Sequence, residues 1–118
     1  MNNIFLLAWL DDWQMSARLA KLSSAYSYEL VFCENGLQLQ DSAAQSVLII
    51  DIDSIEEEEF QKVDHFKDDD SVFILGYALE MDGAQIKHLR ELGYDMVLRR
   101  NKLLKNLDTI LQNIIHVN

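Results

Sequence analysis

Two aspartates, Asp51 and Asp53, close the apolar segment Val47–Ile50 within the run SVLIIDIDS. A run that short and β-branched reads as a strand buried on both faces. The residue just past it sits at the carboxyl edge of a sheet, where open α/β folds place their ligands. A carboxylate there is costly unless water, a cation or a base meets it. Asp51 is therefore a candidate for chemistry, against the plainer reading of a polar residue that ends a strand. Asp11 and Asp12 follow another apolar run. Arg100 belongs to the one basic concentration in the chain, where Arg99, Arg100, Lys102 and Lys105 supply four of the ten Lys and Arg residues. That cluster either docks an acidic partner or balances the acidic edge of the sheet.

The elements that must position these groups alternate along the chain. Asn3–Leu10 reads as a first buried strand, and Asp11 or Asp12 caps a helix that runs to about Ala25. Met15, Leu19, Leu22 and Tyr26 have helical spacing there. Tyr28–Cys33 reads as a second strand, Asn35-Gly36 as a turn and Leu37–Ala44 as a short helix. Ser46–Asp51 is the third strand. Ile55, Phe60, Val63 and Phe66 then share one face of a helix whose other face carries the acidic run Glu56–Glu59. Ser71–Tyr77 is a fourth strand, and Ile86, Leu89 and Leu92 mark a helix closed by Gly93. Met96–Leu98 is a fifth strand. The last helix, Asn101 to about His116, carries the stripe Leu103, Leu104, Leu107, Ile110, Leu111, Ile114 and Ile115. That stripe reads as a face packed on the sheet, with a dimer seam as the alternative. Five strands alternating with helices predict one three-layer α/β domain over residues 1–118. It is flavodoxin-like, a five-stranded parallel sheet in the order 2-1-3-4-5 with helices on both faces.

A chain of 118 residues suits a single domain. An apolar fraction of 49% with 25% charged residues is ordinary for a soluble globule. The net charge of −10 repels phosphate backbones and disfavours direct nucleic-acid binding. No apolar run reaches membrane-spanning length, and MNNIFLLAWLDD lacks the basic start and core length of a signal peptide. A cytoplasmic protein with no membrane contact is expected. Cys33, the single cysteine, reads as a buried structural thiol. His65, His88 and His116 have no metal-ligand spacing. Trp9 and Trp13 read as packing, and an exposed Trp13 beside Asp51 would instead be a partner contact or a block over the site. Proline is absent, where average usage gives roughly six.

Acidic residues after strand one, an Asp after strand three and a basic residue after strand five resemble the receiver domain of bacterial response regulators. The turn CENG, Cys33–Gly36, is similar to the family's small-residue, acidic, Asp/Asn-Gly ending of strand two. VLIIDID resembles the phosphoacceptor strand and puts Asp51 at the phosphorylated position. LRELGYDMVLRRN, Leu89–Asn101, resembles the leucine-glycine-aspartate-strand-lysine-proline segment and puts Arg100 at the lysine position. The resemblance implies a phosphoryl group accepted by Asp51 with one Mg²⁺ neutralising its oxygens. Asp11 or Asp12, Asp51 and the backbone carbonyl of Asp53 are the implied ligands. A histidine kinase or a downstream effector is the implied protein partner. A homodimer through helix four, strand five and helix five is common in that family.

The chain departs from the family pattern at most of those places. Spacing from CENG puts Leu10 and Asp11 at the acidic pair, and a one-residue shift puts Asp11 and Asp12 there. The Ser or Thr after strand four falls on Gly76 or Ala78, and Tyr77 between them has the only hydroxyl of that stretch. The aromatic of strand five is Val97, the proline after the lysine is Asn101, and the proline after the phosphoacceptor is Ile55. Arg for Lys replaces a compact point charge with a wide fork suited to grip Asp51 bidentately, without phosphate.

These departures favour a pseudo-receiver, a non-enzymatic interaction module in signal transduction that has lost the standard switch, with the Mg²⁺ site at Asp11, Asp12, Asp51 and Asp53 either kept or lost. The alternative is a two-component receiver still phosphorylated on Asp51 with Mg²⁺. Asp51-Ile52-Asp53-Ser54 also resembles the first motif of haloacid-dehalogenase-type phosphatases, with the first Asp as nucleophile and the second as general acid. That family opens with the motif and needs a far longer chain after it.

Overall fold

The computed structural model describes residues 4–33, 45–65 and 70–116. Strands β1 (Phe5–Trp9), β2 (Glu29–Phe32), β3 (Ser46–Asp51), β4 (Val72–Ala78) and β5 (Met96–Arg99) pair in parallel. Their order is β2-β1-β3-β4-β5, as the alternation of elements predicts. β3 is central, and every residue of it is buried. An apolar run without polar alternation suits a strand covered on both faces. β2 is an edge strand, and its side chains are largely exposed.

Two apolar layers flank the sheet. On one face Leu48 and Ile50 of β3 and Ile74 and Ala78 of β4 meet Phe60, Val63, Leu89 and Tyr94. On the other, Val47, Ile49, Leu75 and Tyr77 meet Met15, Leu19 and Leu22 of α1 (Trp13–Tyr26). Leu103 of α3 (Arg100–Lys105) and Leu107, Leu111, Ile114 and Ile115 of α4 (Leu107–His116) complete that layer. Each fully buried side chain of this size is worth about 1.5–3 kcal/mol against exposure. The stripe read on the last helix is thus a packed face. Cys33 is buried, as expected.

Two elements differ from the sequence reading. The helix expected through Ile55–Phe66 is a 3₁₀ turn, Ile52–Ser54, followed by a 3₁₀ segment, Glu57–His65. Its buried residues Phe60 and Val63 are three apart, the spacing that a 3₁₀ coil brings onto one line. The last helix is divided at Asn106 between α3 and α4. The Asn106 side chain donates to the Lys102 carbonyl at 3.0 Å, competing with the backbone ladder. α2 (Gly83–Leu92) has Asp82 as its N-cap and ends at Gly93, whose φ of 115° favours glycine. The turn residues 34–36, the helix read over 37–44, and Phe66 lie outside the described residues. The side chains of His65 and His116 do so too, whereas His88 is exposed. Among the described residues no helix is long and apolar enough to cross a membrane.

Candidate functional site

The parallel register brings three expected residues to one edge of the sheet. Asp51, the last residue of β3, stands directly across from Tyr77 of β4. Asp12 lies just beyond β1 and is the N-cap of α1, with extended backbone (φ −144°, ψ 94°). Arg100 opens α3 directly after β5. Asp11, Asp12, Trp13, Asp51, Asp53, Leu79 and Arg100 line one open cleft of about 420 Å³ over this edge.

Asp12 is the hub. Its Oδ1 accepts from the Met15 N–H at 3.1 Å, which caps the helix. Arg100 donates from Nε to Oδ2 at 2.8 Å and from a terminal nitrogen to Oδ1 at 3.1 Å. The Tyr77 hydroxyl donates to Oδ2 at 3.0 Å. Arg100 also donates to Gln14 Oε1 at 2.9 Å. The Arg100 hydrogen bonds, opposed in part by burial, hold the Asp12 carboxyl below the ordinary carboxylate range. Tyr77 is wholly buried, and burial pushes its hydroxyl well above the ordinary phenol range, so it stays a donor.

The bidentate pair expected between Arg100 and Asp51 is therefore formed with Asp12 instead. The reason is geometric: an N-cap side chain turns back over its helix start, and here that brings it beneath α3. The two registers of the acidic pair separate in the same way. Asp12 faces the network while Asp11 is exposed.

Asp51 is only 8% exposed. Its Oδ1 accepts from the Asp53 N–H at 3.1 Å, and the Ser54 hydroxyl donates to its backbone carbonyl at 3.0 Å. Burial pushes its pKa up to about 6, partly offset by the Asp53 N–H. Asp53 reaches the next strand end, where its Oδ2 accepts from the Leu79 N–H at 2.7 Å.

Neither Gly76 nor Ala78 takes the place of a site hydroxyl, because both side-chain directions belong to the opposite layer. A Cβ on Gly76 would lie 2.8 Å from Cδ2 of Tyr94, so glycine is needed for that ring to pack. Val97 is buried in the same layer as Tyr94. Tyr77 is the hydroxyl at this edge, a role readable from its parity with Asp51 in two paired strands. Trp9 is buried, but Trp13 is 85% exposed at the start of α1, so only one of the two tryptophans is packing.

A Mg²⁺ ion requires carboxylate oxygens free to enter an octahedral shell. Both oxygens of Asp12 already carry hydrogen bonds, two of them from the guanidinium, and one oxygen of Asp53 is held by a backbone N–H. Among the described residues no group of three or more His, Cys, Asp or Glu side chains is placed to hold a metal ion. The hydrogen bonds of this network thus compete with a cation for Asp12 and for one oxygen of Asp53.

No family model matches the chain, and no curated protein matches it. Solved structures do. The regulatory domain of the master biofilm regulator CsgD aligns at a TM-score of 0.69 with 14% identity, over 98% of this chain and 89% of that one. A protein of Burkholderia thailandensis E264 described as the pilus assembly protein CpaE aligns at 0.67 with 19% identity, over 96% and 97%. A pilus-assembly-related protein of Burkholderia pseudomallei K96243 aligns at 0.64 with 16% identity, over 94% and 87%. At such identities the likeness is one of fold. Together with the strand order, it gives the chain the flavodoxin-like fold of receiver domains.

Proposed function

We propose that this chain is an atypical receiver-type signalling domain that acts as a protein-interaction module. In this reading a fixed Asp12–Arg100–Tyr77 network replaces the aspartyl-phosphorylation switch and Mg²⁺ is not used. The observation that carries it is the commitment of Arg100. At the position where the resembled family has its lysine, the guanidinium is closed onto Asp12 through two hydrogen bonds. A phosphoryl group on Asp51 would need that cation, and an Asp12 stripped of it would be left charged and half-buried. The absence of a Ser or Thr hydroxyl at Gly76 or Ala78 supports the same reading.

One neighbour is described as the regulatory domain of a biofilm regulator, which supports a signalling role. The partner is a protein, a histidine kinase or a downstream effector, in the cytoplasm. Self-association through α2, β5 and the last helices is a second consequence, checked by light scattering.

The second reading, a working phosphoacceptor, is favoured by one observation: Asp51 keeps its place at the end of β3 and lines the open cleft. Beryllofluoride with Mg²⁺, a mimic of the acyl phosphate, separates the two. Amide resonances of residues 51–53, 77–79 and 100 are expected to stay in place. Saturable shifts at those positions, abolished in Asp51→Asn, would favour the second reading.

A further inference from the structure

The cleft holds more negative charge than its own residues neutralise. Four carboxylates line it with a single cation, Arg100, and that guanidinium is spent on Asp12 and Gln14. Asp51 and Asp53 each accept a backbone hydrogen bond and bring their negative charge to the same cleft without sharing in the Arg100 pair. Asp51 is more than nine-tenths buried, so its charge is poorly screened by water.

The rim is of a different kind. Trp13 is 85% exposed and Leu79 is 59% exposed, and both line this same cleft. Neither adds to a core layer. Large apolar side chains left in water beside a charged floor mark interaction surfaces, and Trp leads among residues that anchor them. The charge disfavours an anion, and a bare metal ion would leave the apolar rim of Trp13 and Leu79 unused. A long cationic side chain suits both parts, because its stem is apolar and its head is charged. An indole face adds cation–π attraction for that head.

We infer that this cleft docks a protein partner through one Arg or Lys side chain, with its stem against Trp13 and Leu79 and its charged head on Asp51 and Asp53. The inference rests on the reading that Asp51 is not the seat of a phosphorylation switch. That reading has its own phosphorylation test, so the two fail separately.

The test is an amide-resonance titration of the whole chain with N-acetyl-arginine amide, with the neutral N-acetyl-citrulline amide, and with MgCl₂ as a third arm. The arginine amide is expected to give saturable shifts confined to the Trp13 indole and the amides of residues 51–53 and 79. The citrulline amide is expected to leave them unmoved. Trp13→Ala, on an exposed position, should weaken the arginine amide about two- to fivefold. Asp53→Asn, which keeps an acceptor for the Leu79 N–H, should weaken it further. No shift there, an equal response to citrulline, scattered shifts over the acidic surface, or indifference to both variants would overturn the inference. Saturation of the cleft by Mg²⁺ while the arginine amide leaves it unmoved would assign it to a metal and overturn it as well.

Discussion

Arg100 grips Asp12 across 88 positions of sequence, with both guanidinium hydrogen bonds, at 2.8 and 3.1 Å, landing on one carboxylate. The pair ties the first turn of α1 to the first turn of α3 over the carboxyl edge of the sheet. The Arg100 fork is thereby committed to Asp12 rather than to Asp51.

Breaking that pair has an expected size. It is partly solvent-exposed, so the discount for screening applies. Arg100→Ala should destabilise the chain by about 1–2 kcal/mol in urea unfolding. Arg100→Lys should lose part of this, because an ammonium cannot reproduce the fork. A double-mutant cycle with Asp12→Asn should return a coupling of about 0.5–2 kcal/mol. Additive effects would mean that the pair contributes nothing.

Tyr77→Phe removes only the hydroxyl that donates to Asp12 from a wholly buried ring. The expected loss is about 1–2 kcal/mol, since the bond goes to a charged group. The Asp12 carboxyl should titrate higher in the variant, read by carbon-detected NMR.

The two carboxylates give stability opposite dependences on pH. Asp51 has its pKa raised to about 6, above the unfolded value of 3.8. Between these values the folded state binds a proton that the unfolded state does not. Its destabilising effect is therefore full above pH 6 and is relieved as pH falls toward 4. Asp51→Asn, which keeps an acceptor for the Asp53 N–H, should raise stability at pH 7.5 by about 1–2 kcal/mol after screening is allowed for. It should also flatten the slope. Asp12, lowered by its Arg100 hydrogen bonds, stabilises above its unfolded value of 3.8 and loses that contribution as pH falls through its folded pKa. A wild-type profile with no rise on acidification from pH 7.5 to 5 would contradict the Asp51 assignment.

Gly76→Ser restores a hydroxyl at one of the family's candidate positions. Its Cβ would press on the Tyr94 ring at 2.8 Å, so the expected outcome is a loss of about 1–3 kcal/mol. Replacing Tyr94 by a smaller side chain in the same background should recover part of it. Undiminished thermal stability of Gly76→Ser would mean that the ring yields freely.

Most of the scaffold was legible because burial on both faces leaves a plain mark. Ser46–Asp51 reads as a strand and is one, residue for residue. Gly93 reads as a helix end and takes the left-handed backbone there. That Asp51, Asp12 and Arg100 share one edge of the sheet was legible too, since Asp51 ends β3 while Asp12 and Arg100 come just after β1 and β5. The partner of Arg100 was not. Asp51 ends β3 and Asp12 lies beyond the end of the neighbouring β1, and choosing between them depends on the N-cap turning Asp12 back toward α3. No one-dimensional spacing carries that. The 3₁₀ segment was missed for a related reason, because Ile55, Phe60, Val63 and Phe66 suit a helix as well as they suit a tighter coil.

The central claim is that the standard aspartyl switch has been replaced by the Asp12–Arg100–Tyr77 network. Its most direct test is the intact mass of the chain after incubation with acetyl phosphate and Mg²⁺, with Asp51→Asn as control. An unchanged mass in both proteins is the expected result. A phosphate-sized gain in the wild type that disappears in Asp51→Asn would contradict it and restore Asp51 as a working phosphoacceptor.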